Sequence, residues 1–360
     1  MTESKRRIAI VGTGGIAKSH ARAVTALPDR AELVAGVDVD LDRAKAFADE
    51  WNIPSTYPNL TELLAAGGVD LIHLCTPPSS HVPLATEALA AGVDVLTEKP
   101  PTLSLDELDA LLEAESASSA QVACVFQHRF GSGAVRLRRL AADGVLGRPL
   151  VALCNTVWFR DDAYFSVPWR GTFEVEGGGP TMGHGIHQYD LLLSIYGPWQ
   201  KVTALAARQA RPTQTEDVSL AMVTFENGAV ASIVNSLVSP RQTSQLRFDY
   251  ENATVELEHL YGYQNPDWTV TPADGHSAVS DAWTADLPDV PSGHTAQLTA
   301  VLDALDTGDP APVTLAEARN TVELAAAIYA SAFTDKPIHR GELTRGSAYA
   351  ERMGGPGAPW

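Results

Sequence analysis

Two groups of residues in this chain have the types and spacing for acid–base work. Lys99 stands in Glu98-Lys99-Pro100-Pro101 at the end of an apolar run, and His187 lies in a helical pattern with His184 and Asp190. An ammonium beside a reacting oxygen stabilises a developing alkoxide, and an imidazole exchanges protons near neutral pH. His184, His187 and Asp190 fall at i, i+3 and i+6, so neighbouring members share a helix face. His187 is the expected acid–base group. Asp190 would orient it, anchor the helix or join His184 in contacting a substrate. Two histidines and a carboxylate are also a plausible zinc set. No further ligand cluster accompanies them, so no metal is expected. Upstream, Trp158, Arg160, Trp169 and Arg170 offer aromatic faces beside guanidinium donors, a platform for a polyhydroxylated ring.

A second constellation concerns a nucleotide. The strand-like Ile8-Ala9-Ile10-Val11 runs into Gly12-Thr13-Gly14-Gly15-Ile16-Ala17 and then a helical pattern. This is a G-x-G-x-x-A fingerprint in its required context. Gly12 permits the tight turn, Gly14 lets the backbone approach a pyrophosphate, and Ala17 allows close packing. The helix start supplies free N–H groups. The next apolar run ends at Asp38, about 20 residues beyond the fingerprint, where a ribose-binding carboxylate belongs. A carboxylate there favours NAD, because it repels the 2′-phosphate of NADP. Arg43 is close enough to contact a phosphate, so NADP stays open as the lesser choice. Thr76, Pro77 and His81 end the third apolar run, and Glu98 and Lys99 the fourth, both where open α/β sheets bind ligands.

These residues need a scaffold. Apolar runs near 7–11, 32–37, 69–75, 93–97 and 121–126 alternate with helical patterns near 15–27, 41–51, 81–91 and 104–118. Such alternation specifies an α/β Rossmann domain with a doubly wound parallel sheet, over residues 1–127. Beyond it lie helices near 132–142 and 184–196. Strand-like runs follow one another near 149–159, 200–209, 217–226, 229–238, 244–250 and 253–259, with a hairpin turning on Asn227-Gly228. An α+β domain with a mostly antiparallel open sheet is expected over 128–360, serving substrate binding and oligomerisation. Helices near 294–306 and 315–333 would close it. The segment 264–292 reads as a long surface loop and the tail after 342 as frayed.

Bulk properties bound the partners. The 360 residues carry a formal charge of −18, a sign that repels phosphate backbones and anionic lipid, so neither nucleic acid nor membrane is expected. Cys75, Cys124 and Cys154 each lie in an apolar run and read as buried thiols. With no signal-like start and no long apolar span, the expected location is cytoplasmic. An uncovered antiparallel sheet face points to a homo-oligomer.

Taken together, G-T-G-G-I-A, C-T-P-P-S-S-H, E-K-P, Q-H-R-F at 127–130 and G-G-G-x-x-x-x-x-G-I-H resemble the Gfo/Idh/MocA oxidoreductases over about residues 6–340. The resemblance implies hydride transfer between a nicotinamide cofactor and a carbinol or ketone of a sugar, polyol or glycoside. It makes Lys99 the contact to the reacting hydroxyl and His187 its proton acceptor, with Gln127 among the cofactor-binding residues. Some relatives instead cleave glycosides with tightly held NAD, and a non-catalytic regulator that binds NAD and a sugar is a second alternative, against which the presence of both Lys99 and His187 speaks. One departure stands out. Many members carry an aspartate four residues before the histidine, and here that position is Gly183.

Overall fold

The alternating first third builds a six-stranded parallel sheet in the computed structural model, which describes residues 5–286 and 288–360. Its strands are β1 (Arg6–Val11), β2 (Ala31–Val37), β3 (Ser55–Tyr57), β4 (Leu71–Leu74), β5 (Asp94–Thr97) and β6 (Val122–Cys124), ordered β3-β2-β1-β4-β5-β6. Helices α1 (Ala17–Thr25), α2 (Leu41–Trp51), α3 (Leu60–Ala66), α4 (His81–Ala90) and α5 (Leu105–Ser116) intervene. Ile8, Ala9 and Ile10 are fully buried, as a parallel strand covered on both faces requires, and so the run is apolar without alternation. The order reverses between β1 and β4. Ligands bind beyond the strand ends at such a switch point. The short pair β3 and α3 escaped the sequence reading, because Ser55-Thr56-Tyr57 is only half-buried and carries no apolar run. Asn59 marks the start of α3 by accepting the Glu62 N–H at 2.9 Å.

The second unit is an eight-stranded sheet of β7 (Pro149–Phe159), β8 (Trp199–Ala207), β9 (Val218–Phe225), β10 (Val230–Ser236), β11 (Val238–Tyr250), β12 (Ala253–His259), β13 (Trp268–Pro272) and β14 (Ile338–His339). Their order is β13-β12-β11-β7-β10-β9-β8-β14, and all pairs are antiparallel except β7 with β10. The β9–β10 hairpin turns at Asn227-Gly228, where Gly228 takes a φ of +89°. Its helices are α6 (Ser132–Ala142), α7 (Asp162–Phe165), α8 (Ile186–Tyr196) and α9 (Ala278–Thr284); α10 (His294–Thr307), α11 (Leu315–Thr334) and α12 (Ala348–Glu351) follow.

Three expectations need correction. The expected loop at 264–292 holds β13 and α9, anchored by buried Trp268 and Trp283 with ring centroids 6.0 Å apart. Its Pro/Asp/Ser composition describes the connections but not these two anchors. The tail is packed: Met353 is buried, and Trp360 meets Phe333 edge-on at 5.3 Å. Finally, the segment His294–Ala318 belongs with the first unit, so the chain does not divide by one cut at residue 127. Leu298, Val301 and Leu302 of α10 share a core with Ile8, Val24, Leu71 and Leu96. Periodicity identifies an apolar helix face without naming the sheet it covers. All three cysteines are buried, as expected.

The glycine-rich turn before α8 is constrained by contact. A Cβ on Gly179 would overlap the backbone carbonyl oxygen of Glu216, and one on Gly178 the Tyr329 hydroxyl. Gly179→Ala is therefore expected to destabilise the protein by about 3 kcal/mol, the upper range for overpacking. Urea unfolding checks this; an unchanged midpoint would contradict the packing described.

Candidate active site

At the switch point of the first unit the chain leaves β1 through Gly12, whose φ is +88°. A Cβ there would stand 2.8 Å from the carbonyl carbon of Cys75 and the nitrogen of Thr76. Only glycine allows the ends of β1 and β4 to approach this closely. At Gly14 and Gly15, by contrast, nothing lies within 4 Å of where a Cβ would be, so the loop backbone is open. The start of α1 has no side-chain cap, which leaves its N–H groups for an anion. Ala17 is fully buried against the sheet, and Ile16 is partly exposed.

Asp38 lies beside this loop. One carboxylate oxygen accepts the Thr13 N–H and hydroxyl, both at 2.9 Å; the other accepts the Asp40 N–H at 2.9 Å. Arg43 spans both oxygens at 2.9 and 2.5 Å. Burial works to raise the carboxyl, but these donors outweigh it and hold Asp38 at about 2. Arg43, close enough in sequence to contact a phosphate, pairs with Asp38 while half of its side chain stays exposed. An open glycine cradle, an uncapped helix start and an ionised carboxylate fit a dinucleotide.

The ends of β4 and β5 carry the next residues. His81 is buried with Nδ1 2.9 Å from the Pro100 carbonyl and Nε2 3.0 Å from that of Thr76, tying the segments after the two strands together. Burial pushes its imidazole below the usual range, against the pull of both carbonyls. Ser80 donates to the Thr76 hydroxyl at 2.8 Å, closing the turn around Pro77. Lys99 is half-buried, and its peptide bond to Pro100 is cis. Glu98, expected among the cofactor contacts, turns into the protein. Its Oε1 lies 3.1 Å from Nε2 of both His20 and His294, and its Oε2 accepts the Lys99 N–H at 3.0 Å. The sequence reading missed these histidines, since a lone histidine in an apolar segment signals only burial.

In the second unit His187 is buried on α8, after a π-helical turn at Thr181–Gly185. Such wide turns cluster at functional sites. Glu216 holds the start of this segment, accepting the Gly179 and Thr181 N–H groups at 3.2 and 3.1 Å and the Tyr329 hydroxyl at 2.8 Å. Burial pushes Glu216 up to about 7. The His187 ring faces His128 at 5.0 Å and Tyr261 at 5.9 Å, whereas His184 meets Trp158 at 5.3 Å and Tyr164 at 5.8 Å. Gln127 donates to the Tyr261 hydroxyl and so belongs with this aromatic group. Trp158, whose Nε1 donates to Ser244 at 2.9 Å, begins a ladder of alternating rings and guanidiniums. Arg160 lies over Trp158 and Tyr164 at 4.8 and 5.4 Å, and Arg170 over Tyr164 and Trp169 at 4.3 and 4.0 Å. Spacing brought the four sequence candidates to notice; Tyr164, which joins them, gave no signal.

Asp190, expected to orient His187, anchor the helix or contact a substrate, is held within the protein. Its oxygens are occupied by Arg129, at 2.6 and 2.7 Å, and by the Thr321 hydroxyl at 2.7 Å, which leaves it the anchor of α8. The departure at Gly183 also has a structural counterpart. A Cβ on Gly183 would lie 3.6 Å from Oε1 of buried Glu176, so a carboxylate from elsewhere in the chain stands beside the position. That oxygen accepts from Arg170 at 2.6 Å. His184 of the π-helical turn and His187 and Asp190 of α8 thus have different neighbours in these contacts. Among the described residues, a grouping with metal-ligand spacing is found instead in the first unit: His20, Glu98 and His294, with ligand atoms within 4.8 Å.

Residues 6–126 match the oxidoreductase family with an NAD-binding Rossmann fold, and residues 134–256 match the GFO/IDH/MocA C-terminal domain. The chain belongs to the Gfo/Idh/MocA oxidoreductase family. Within it, D-glucoside 3-dehydrogenase of Escherichia coli K12 is 29% identical, over 74% of this chain and 81% of its own. D-apiose dehydrogenase of Paraburkholderia graminis is 27% identical, over 71% and 65%. The WlbA dehydrogenase of Bordetella pertussis, solved with NADH and UDP-GlcNAcA, aligns at a TM-score of 0.84 and 26% identity, over 94% of this chain and 98% of that one. Like these relatives, the chain is a hydride-transferring oxidoreductase.

The Arg129–Asp190 pair is nearly dry, with side-chain exposures of 12% and 1%. Removing one partner leaves an uncompensated buried charge. Arg129→Met is expected to cost roughly 3 kcal/mol, while Asp190→Asn with Arg129→Met should cost less than the two separate losses combined. Urea unfolding of the three variants measures this, and strictly additive losses would contradict direct pairing.

Proposed function

We propose that this protein oxidises a carbinol of a sugar, polyol or glycoside with NAD, or reduces the corresponding ketone. The observation that carries the reading is the open glycine cradle beside a buried Asp38 held ionised by Thr13, Asp40 and Arg43. That carboxylate accepts from a ribose 2′-hydroxyl and repels a 2′-phosphate, and Arg43 is engaged by Asp38 itself, which supports NAD over NADP. The names of relatives support the substrate class: D-glucoside 3-dehydrogenase, D-apiose dehydrogenase and inositol 2-dehydrogenase 3 of Saccharopolyspora erythraea.

Bound NAD supplies the hydride acceptor at nicotinamide C4. Lys99 donates a hydrogen bond to the reacting oxygen and stabilises the developing alkoxide. His187 removes the hydroxyl proton in oxidation and returns it in reduction. The ladder of Trp158, Arg160, Arg170 and Trp169 offers apolar faces to the sugar ring and donors to its hydroxyls, with His184 next to Trp158. The protein works as a homo-oligomer. The outward face of the second unit's sheet carries exposed Val151, Leu205, Leu220, Met222 and Val230, which register places on neighbouring strands. A patch of this kind is covered by a second subunit in soluble proteins.

The test is NADH formation, followed by absorbance, across a panel of sugars, polyols and glycosides. Lys99→Ala and His187→Ala should each lower kcat/KM on the best substrate by roughly 10²-fold or more. Calorimetric NAD affinity should stay within a few-fold and exceed that for NADP. Wild-type turnover in either variant, or a preference for NADP, would contradict the reading.

A further inference from the structure

Behind Lys99, two histidines meet the Glu98 carboxylate inside the first unit, and a third backs one of them. His20 comes from α1, His73 from β4, and His294 opens α10. His20 and His73 are essentially inaccessible and Glu98 is 5% exposed. The rings pack edge to face, His20 against His73 at 5.0 Å and against His294 at 4.7 Å. Nε2 of His20 and Nε2 of His294 each lie 3.1 Å from Glu98 Oε1, and Nδ1 of His20 lies 3.1 Å from Nδ1 of His73.

The protons of this group can be placed one by one. An ionised carboxylate only accepts, so each Nε2 that faces it must carry a hydrogen. His20 is then a neutral Nε2–H tautomer with an acceptor at Nδ1, and His73 must donate from its own Nδ1. His73 Nε2 is left as a buried lone pair without a partner. Burial depresses both His20 and His73, in keeping with neutral rings. It works to raise Glu98, but the His20 and His294 bonds outweigh it and keep the carboxyl well below its usual range. The arrangement closes with one carboxylate facing two Nε2–H donors and with His20 and His73 neutral. The remaining carboxylate oxygen goes to the N–H of Lys99.

We propose that His20, His73 and His294 are positioning residues: they fix the Glu98 carboxylate in one orientation and, through its bond to the Lys99 N–H, fix the direction in which the Lys99 side chain leaves the backbone. The inference rests on the role given to Lys99 above. The far flank of the lysine is held as well, since His81 lies 2.9 Å from the Pro100 carbonyl. A misplacement of about 1 Å at a reacting group costs on the order of 10²-fold in rate. A loosened support therefore acts on turnover and leaves the glycine cradle and Asp38 in place.

The experiment compares His20→Leu and His294→Leu with His20→Gln and His294→Gln in the NAD-dependent assay, beside Lys99→Ala. The glutamine amide keeps an N–H donor near the position of Nε2. The leucine variants should lose roughly 10²-fold in kcat with NAD affinity within a few-fold of wild type, and the glutamine variants should recover most of it. Nitrogen-15 chemical shifts of the unmutated protein should show His20 as the neutral Nε2–H tautomer, a readout that does not depend on any variant folding. Wild-type kcat in both leucine variants with Lys99→Ala inactive would overturn this inference alone. Wild-type turnover in Lys99→Ala would overturn the proposed function together with it. Stoichiometric zinc in the purified protein, lost in His294→Gln, would also overturn it, because the two Nε2 atoms would then be metal ligands without hydrogens.

Discussion

The chain leaves β1 at Gly12 with a positive φ, and the end of β4 lies so close that no side chain fits between them. The rest of the first unit follows from that contact. It sets the start of α1 above the sheet with uncapped N–H groups and opens the backbone at Gly14 and Gly15. It also brings Thr13 to where its N–H and hydroxyl both reach Asp38. Geometry and electrostatics then act in the same direction, a positive helix end for phosphate and a fixed negative charge for ribose.

Elsewhere the candidate sites are organised by the cost of burying charge. An unpaired buried carboxylate would protonate or unfold its surroundings, so each one here gathers donors. Asp190 takes Arg129 and Thr321, Glu176 takes Arg170 and the Gly171 N–H, and Glu98 takes two imidazoles and a backbone N–H. The Asp190 and Glu98 sets tie together segments distant in sequence, the Glu176 set closes a local loop, and each lies within a few residues of a candidate catalytic or binding side chain. Rigidity at Lys99 and along α8 is thus a consequence of paired burial rather than of secondary structure alone.

Local features were legible in the sequence because their physics is local. A glycine fingerprint needs only its own strand, turn and helix, and an Asn-Gly hairpin only its two strands. The alternation that announced the parallel sheet is likewise a matter of neighbouring residues. Most of what escaped depends on partners far along the chain. Nothing near Asp190 in sequence announces Arg129 or Thr321, so an acid one turn from His187 read as a functional partner. Glu98 read as a ligand contact because it ends a strand, yet it faces inward to His294, which arrives only after β7 to β13 of the second sheet. Gly183 read as a missing group; here the partner is near in sequence, and it is the turn of the glycine-rich segment that brings Glu176, seven residues earlier, beside it. The periodicity of α10 was visible, but its destination in the first unit was not.

Direct hydride transfer from a carbinol carbon is the central claim, and isotopic tracing tests it without any variant. With a substrate carrying deuterium at the oxidised carbon, the NADH formed should contain one deuterium per turnover on a single face of the nicotinamide. Unlabelled NADH, with the deuterium released to solvent, would contradict the account.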